Sequence, residues 1–356
     1  MSAPRELFAP APGTVYLDAA TYGLPPLPTV EALDRALHAW QRGEAEWIED
    51  WDIVGEECRR LFAGLIGADA AEIALIPTAS VGIGLVAESL PTECEVAVPD
   101  DEFTSVLYPL LVAAERHGVR LRRVPFDRLA RAIAPSTHTV AFSLTRSQDG
   151  VTADLPAIID AAKQTGTRLL VDATHAVPFV ALKPWISEID ALVCHGYKHL
   201  LCPRGVGFFY LRRDRWDKVS PWLANWRSGS PLYGTSFGGT LADLAPDARR
   251  FDVSLAWHAW VGARPSLDLL NQWQDQGVLD GVHVLARRLA DGLNQPEPVG
   301  SIVSLRVDDA EIAERELGRR GIRCAARGGN IRLSPHVYNT ASDVDEALAA
   351  LARFVI

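Results

Sequence analysis

The sequence is poor in cysteine, in net positive charge and in long apolar runs, and each shortage removes a class of protein. Five cysteines (Cys58, Cys94, Cys194, Cys202 and Cys324) are scattered through 356 residues without a CxxC pair. That pattern argues against a disulfide framework and a thiolate metal centre, so no metal site is expected, and reduced thiols in a cytoplasmic protein are. Lys and Arg number 35 against 45 Asp and Glu, a net charge of −10. The deficit disfavours non-specific binding to nucleic acid or an anionic membrane and says nothing about fold. No apolar run approaches the roughly 18–20 residues that span a bilayer. The opening Met1-Ser2-Ala3-Pro4-Arg5-Glu6 lacks the basic stretch and apolar core of a secretory signal. Repeats, low-complexity segments and long linkers are lacking too. A single methionine beside ten tryptophans is unusual, and no function follows from it.

What is present is an ordinary globular composition, 48% hydrophobic and 22% charged. A chain of this length exceeds one small core, which favours a large domain plus a smaller one. Strand-like runs alternate with helical patterns through the first two thirds. Val15–Asp18, Ile73–Pro77, Glu95–Pro99, Arg120–Val124, Thr139–Leu144, Arg168–Asp172 and Ala191–His195 read as strands. Pro28–Leu65, Val81–Leu90, Val106–His117 and Leu155–Thr165 carry helical spacing. Strands separated by helices of this length predict an α/β fold, a mostly parallel sheet between helices. Ligands in such sheets bind beyond the carboxyl ends of the strands. After Pro265 the texture changes to a long helix over Ser266–Leu293, then strand Ile302–Val307 and helix Ala310–Arg320. Strands Ile322–Cys324 and Asn330–Leu333 and helix Ser342–Phe354 complete a small α+β domain. The expected division is a segment 1–17 packing on the small domain, a large domain 18–265, and a connecting helix with the small C-terminal domain over 266–356.

The chemistry gathers at the strand ends. Lys198 lies in Cys194-His195-Gly196-Tyr197-Lys198-His199, a mostly apolar segment, and Asp172 closes the buried run Arg168-Leu169-Leu170-Val171 upstream. A lysine able to form an imine and an acid able to keep a ring nitrogen protonated are the two charges that an aldehyde cofactor with a pyridine ring requires. That cofactor is pyridoxal 5'-phosphate. Thr78-Ala79-Ser80-Val81-Gly82 joins a strand to a helix, where backbone N–H groups and the Ser80 hydroxyl could face a phosphate; in isolation the same turn reads as a plain helix cap. His175, three residues after Asp172, could donate to a phenolic oxygen of the ring or be a satisfied core histidine. Phe103 could stack on the ring or belong to the core. Arg332, within an apolar strand, has the planar fork that binds a carboxylate bidentately.

Together these segments resemble the class V aminotransferase family of fold-type I enzymes, the group that holds cysteine desulfurases, isopenicillin N epimerase-like proteins, kynureninase and several C–S lyases. Tyr16-Leu17-Asp18-Ala19-Ala20-Thr21 is similar to the family's N-terminal motif, and Thr78-Ala79-Ser80 to its phosphate turn. Glu102 to Tyr108 resembles the segment with the ring-stacking residue, and Ser143 to Gly150 its strand and loop. Val171-Asp172-Ala173-Thr174-His175 and Gly196-Tyr197-Lys198 with Pro203-Arg204-Gly205 resemble the aspartate and lysine motifs. Arg332 ahead of Tyr338-Asn339-Thr340 resembles the carboxylate arginine. The resemblance implies Lys198, Asp172 and His175 as catalytic residues. It implies cofactor contacts from Ala79, Ser80, Phe103, Ser147, Asp172, Thr174, His175, His195, Tyr197 and Lys198, and substrate contacts from Arg332, Ala20 and Thr21. It further implies a homodimer with shared active sites, in which Ser254 reaches the partner's phosphate, and a small-molecule amino-acid substrate.

The chain also departs from the desulfurase pattern. His195 and Tyr197 stand where Ser and His are common, and His175 replaces a glutamine. Cys324, eight residues before Arg332, reads as structural rather than as a loop nucleophile. The expected reaction is therefore β-elimination of an S-substituted cysteine. Transamination, decarboxylation with oxidative deamination, epimerisation and a catalytically silent scaffold are the alternatives.

Overall fold

The computed structural model describes residues 4–234 and 236–354. Residues 1–3 of the expected 1–17 segment, Thr235, and the last two residues of the 266–356 segment lie outside the described residues. The short strand β1 (Val15–Tyr16) leads into helices α1 (Leu27–Arg42) and α2 (Val54–Ile66), with a π-helical turn at Trp47–Asp52 between them. The expected single helical stretch 28–65 is thus two helices, and α1 ends at Gly43 in the left-handed region (φ 66°).

The large sheet is built from β2 (Ile73–Ile76), β3 (Glu95–Pro99), β4 (Arg120–Val124), β5 (Thr137–Ser143), β6 (Arg168–Asp172), β7 (Ala191–His195) and β8 (Gly207–Leu211). Their spatial order is β2-β8-β7-β6-β5-β3-β4. Every neighbouring pair is parallel except those made by β8, which runs antiparallel to both β2 and β7. Helices α3 (Ala79–Glu88), α4 (Thr104–His117), the short α5 (Leu129–Ala132) and α6 (Leu155–Thr165) are the crossovers. Helix α6 shows how local sequence sets such an element. Asp154 caps it by accepting from the Ala157 amide at 3.1 Å, a proline occupies the first turn, and Gly166 ends it at φ 74°.

Side chains alternate across the pleat, so one strand feeds two cores. In β8, Phe208 and Tyr210 join the apolar layer that contains Phe62, Phe142 and Trp260, whereas Phe209 and Leu211 join the layer of Ile83, Val96 and Val106. Both faces are covered, which is why β6 is apolar throughout between its terminal Arg168 and Asp172.

Beyond the sheet come α7 (Trp257–Asp275), α8 (Asp280–Gly292), β9 (Val303–Arg306), α9 (Ala310–Arg319), β10 (Ile322–Arg323), β11 (Ala325–Arg327), β12 (Asn330–Leu333) and α10 (Ala341–Leu351). The expected helix 266–293 is corrected to two helices, with Gly277 at φ 70° between them. Pro265 lies inside α7 and marks no break, because that helix packs on α1 and α2. Strands β11-β12-β9 form an antiparallel sheet, and β1 pairs in parallel with β10 (Val15↔Ile322, Tyr16↔Arg323). Val15 and Leu17 are thereby buried in a third core with Val303, Leu305, Ile331, Leu333, Val344 and Leu351. No helix of the described residues is long and apolar enough to cross a membrane.

Candidate active site

Because β2, β3, β5, β6 and β7 all point the same way, their carboxyl ends bring Thr78, Glu102, Ser143, Asp172 and His195 to one edge of the sheet. A cleft of about 210 Å³ opens there. Ala79, Ser80, Phe103, Ser147, Asp172, Thr174, His175, His195, Tyr197 and Lys198 all line it. Thr78, Ser105, Ser143 and Arg204 line it as well and were missed in the sequence. The signal for Arg204 was its position in the turn that follows the lysine. Its guanidinium stacks on the Tyr197 ring at 4.9 Å.

The turn that carries Lys198 is tightly held. Gly196 N–H donates to Val206 O (2.8 Å) and Leu201 N–H to Lys198 O (3.0 Å), with Leu201 in the left-handed region at φ 58°. A branched residue in that region stores on the order of 1–2 kcal/mol of strain. Gly23 donates to Tyr197 O at 3.0 Å, and a Cβ at Gly23 would sit 2.3 Å from Lys198 O. Only glycine admits this contact between the N-terminal arm and the lysine turn.

Lys198 is 7% exposed, and its Nζ lies 2.8 Å from His175 Nε2 and 5.6 Å from the centre of the Phe103 ring. Burial pushes the amine down to about 8 against the attraction of Asp172. Asp172 is pushed up by burial, opposed by Thr174, whose N–H donates to its Oδ1 at 2.9 Å, and by Lys198. His175 is held well below the usual imidazole range by burial and then by the Lys198 charge, so it is neutral and can accept a hydrogen bond from Lys198 at Nε2. His195 Nδ1 lies 3.0 Å from Val206 O, which can only accept, so that nitrogen carries the proton. Burial brings His195 down to about 4.

Arg332 is buried outside the cleft lining. Its Nη1 donates to Ser147 O (2.6 Å) and Oγ (3.2 Å), and its Nη2 to Thr21 Oγ1 (2.7 Å), with Asp18 Oδ1 at 3.4 Å. The loop of Ser147 is pressed on the small sheet at Gly150, where a Cβ would stand 2.6 Å from Ile302 O. Arg332, Ser147 and Thr21 therefore meet in one knot beside the cleft. Ala20 is buried and its N–H already donates to Ser334 Oγ at 2.8 Å, so that donor is not free for a substrate. Ser254 is exposed before α7 and does not line the cleft of its own chain.

The class-V aminotransferase model matches residues 15–347. The chain belongs to the class-V aminotransferase family. It is 28% identical over 323 residues to YcbU, an uncharacterized aminotransferase of Bacillus subtilis (strain 168), covering 85% of this chain and 84% of that one. It is 28% identical over 341 residues to isopenicillin N epimerase of Streptomyces clavuligerus, with 83% of each chain covered. Among solved structures, the cystine C–S lyase C-DES in complex with cysteine persulfide superposes with a TM-score of 0.85 at 21% identity, over 96% of this chain and 98% of that one. The fold is therefore fold-type I, and the protein is a pyridoxal-phosphate-dependent enzyme of the desulfurase-like group.

The donor set fits that cofactor. Helix α3 begins at Ala79 without a side-chain capping bond from Thr78, so that hydroxyl does not claim the amides of Ala79 and Ser80, while the Val81 N–H donates to Thr78 O at 3.1 Å. With the hydroxyls of Thr78, Ser80 and Ser105 and the Arg204 guanidinium, those two amides offer hydrogen bonds and positive charge to a phosphate. Phe103 could supply a flat face, Asp172 a carboxylate for the ring nitrogen, and Lys198 the amine.

Proposed function

We propose that this enzyme is a C–S lyase that removes the β-substituent from an S-substituted L-cysteine. The observation that carries the reading is the contrast between Lys198 and Cys324. The lysine is a buried amine brought down to about 8, with an acceptor nitrogen 2.8 Å away. Cys324 is buried in the small-sheet core with its thiol pushed up to about 12, and it does not line the cleft. A thiol held in that state is a poor nucleophile. This favours elimination over sulfur transfer to a cysteine, and the likeness to the cystine lyase C-DES supports it.

Bound in the cleft, pyridoxal phosphate supplies an electron sink for negative charge at the substrate α-carbon. Lys198 would hold the cofactor, and its Nζ, once free, takes the α-proton. The Lys198 ammonium so formed, hydrogen-bonded to His175 Nε2, can pass that proton to the departing sulfur. Asp172 keeps a proton on the ring nitrogen, and Phe103 and His175 bound the ring. Arg332 orients the α-carboxylate by exchanging its bonds to Ser147 for bonds to substrate.

The same reading takes the chain as a cytoplasmic homodimer, with 18–265 as the cofactor domain and the remainder as the smaller unit. Leu27, Val30, Leu37 and Trp40 leave apolar surface exposed on α1, as a second subunit would require, and Ser254 faces outward to reach the partner's phosphate. The test is incubation of holoenzyme with S-alkyl-L-cysteines. Equal release of pyruvate, ammonia and thiol supports the lyase. Conversion of the amino acid to its 2-oxo acid without thiol release refutes it in favour of transamination.

A further inference from the structure

A second chamber of about 220 Å³ adjoins the cofactor cleft and shares Phe103, Ser143 and Ser147 with it. Its far wall is the turn between β11 and β12. Gly328, in the left-handed region at φ 57°, lies there at ordinary contact distance, where a Cβ would stand 3.8 Å from Gln148 Oε1. The chamber therefore lies between the small sheet and the loops after β3 and β5, on the side of the cleft away from the α3 phosphate turn.

Its charges are unequally matched. Asp101 is held by Arg146 Nη1 (2.8 Å) and by Gln148 Nε2 (2.6 Å). Arg146 is also committed to Asp149 and to the face of Phe126. Glu102 is tied down by the Ser143 amide and hydroxyl and by the Phe103 amide. Arg327, an exposed residue at the mouth of the chamber, differs: among the described residues its guanidinium donates only to Ala326 O and has no carboxylate within ion-pair distance. Its charge nonetheless acts on Lys198, Asp18 and Arg332, which places it within electrostatic reach of the reacting centre. Arg332 stands across the same hairpin, paired with Ala325.

We propose that this chamber receives the distal end of the substrate side chain, and that Arg327 pairs there with an anionic terminus. This rests on the reading above that an α-amino acid is held at Lys198 and Arg332, and it names the substrate class: cysteine conjugates whose S-substituent ends in a carboxylate or sulfonate. Arg332 takes the α-carboxylate, the side chain passes Phe103, and the second acid meets the unmatched guanidinium. A guanidinium fork recognises such a group bidentately.

The test compares S-(2-carboxyethyl)-L-cysteine with its primary amide, which has the same shape without the charge. It also titrates holoenzyme with L-2-aminoadipate and the matching amide, which cannot eliminate, read by the change in cofactor absorbance. The acid of each pair is expected to be favoured by about tenfold or more, in kcat/KM and in Kd. In R327M that ratio falls to about one, in R327K part of it returns, and in R327E it inverts toward S-(2-aminoethyl)-L-cysteine. A ratio of one in the wild type, or one that survives R327M, overturns the proposal. The two readings fail separately. Without lyase activity no conjugate yields pyruvate while the absorbance titrations still discriminate; without the chamber, acid and amide eliminate equally well.

Discussion

Arg59, Arg227, Asp52, Glu56 and Asp252 form one buried ionic cluster beside β2, and Asp172, Lys198 and His175 form another beyond the carboxyl ends of β6 and β7, satisfied in different ways. In the first, Arg59 Nη2 meets Asp252 at 2.6 Å and Glu56 at 3.0 Å, while Arg227 joins Asp52 and, at 2.6 Å, Glu56. The carboxylates take further donors: Leu75 N–H on Asp252, and Trp257 Nε1–H and Tyr233 O–H on Asp52, at 2.8 to 2.9 Å. In the second cluster Lys198 has no carboxylate within ion-pair distance among the described residues, and its near neighbour is a neutral imidazole. The nitrogens behind it are also unpaired, at His175 Nδ1 and at both positions of His199. Burial of charge is common to both clusters and does not mark a site. The difference lies in charge pairing: Arg227 Nε also lacks a hydrogen bond but stands 3.5 Å from Asp252, whereas Lys198 has no carboxylate at that distance among the described residues.

That contrast is open to direct attack, starting where the effect is largest. Lys198→Ala should lower pyruvate release by about a thousandfold or more, since no other amine lines the cleft. Borohydride reduction followed by mass spectrometry should then find no cofactor attached to the chain. Asp172→Asn should cut kcat by about a hundredfold while leaving the apoprotein as stable as before or more so, because burial already disfavours the carboxylate. A marked fall in melting temperature would class Asp172 with the structural cluster. Arg227→Ala should do the reverse. It strands Asp52 and Glu56, and should destabilise the apoprotein by about 3–5 kcal/mol in denaturant unfolding; a change under about 1 kcal/mol would erase the difference between the two clusters.

Two smaller effects sharpen it. Only the neutral amine of Lys198 attacks an aldehyde, and its buried amine is brought down to about 8 from 10.5. The rate at which apoprotein captures pyridoxal phosphate should therefore rise about tenfold per pH unit below 8 and flatten above it, whereas an unperturbed lysine would keep rising to beyond pH 10. Cys324→Ser should leave kcat/KM for cysteine conjugates within about twofold, since the thiol lies in the small-sheet core. Loss of all activity would restore a desulfurase reading.

The sheet was legible because β6 and β7 are short apolar runs bounded by charge or glycine, and helices with caps such as Asp154 separate the strands. The lysine, the strand-end aspartate and the phosphate turn could be read for the same reason, each being fixed by its place at a strand end. The break of α7 from α8 was not legible. Pro265 looks like punctuation, and only packing on α1 and α2 keeps the helix running through it. The knot that ties Arg332 to Thr21 and Ser147 was equally hidden, since its members lie 311 and 185 residues apart.

By itself the sequence determined the cofactor, because a lysine and an aspartate near neighbouring strand ends are legible in local pattern. Tertiary structure alone decided their states and the neighbouring chamber. The lowered amine of Lys198 comes from desolvation by segments distant in sequence, and Arg327 is left unmatched because folding pairs the nearby Asp101 with Arg146 and Gln148. Charge pairing and burial depend on distance in space, which sequence spacing does not encode.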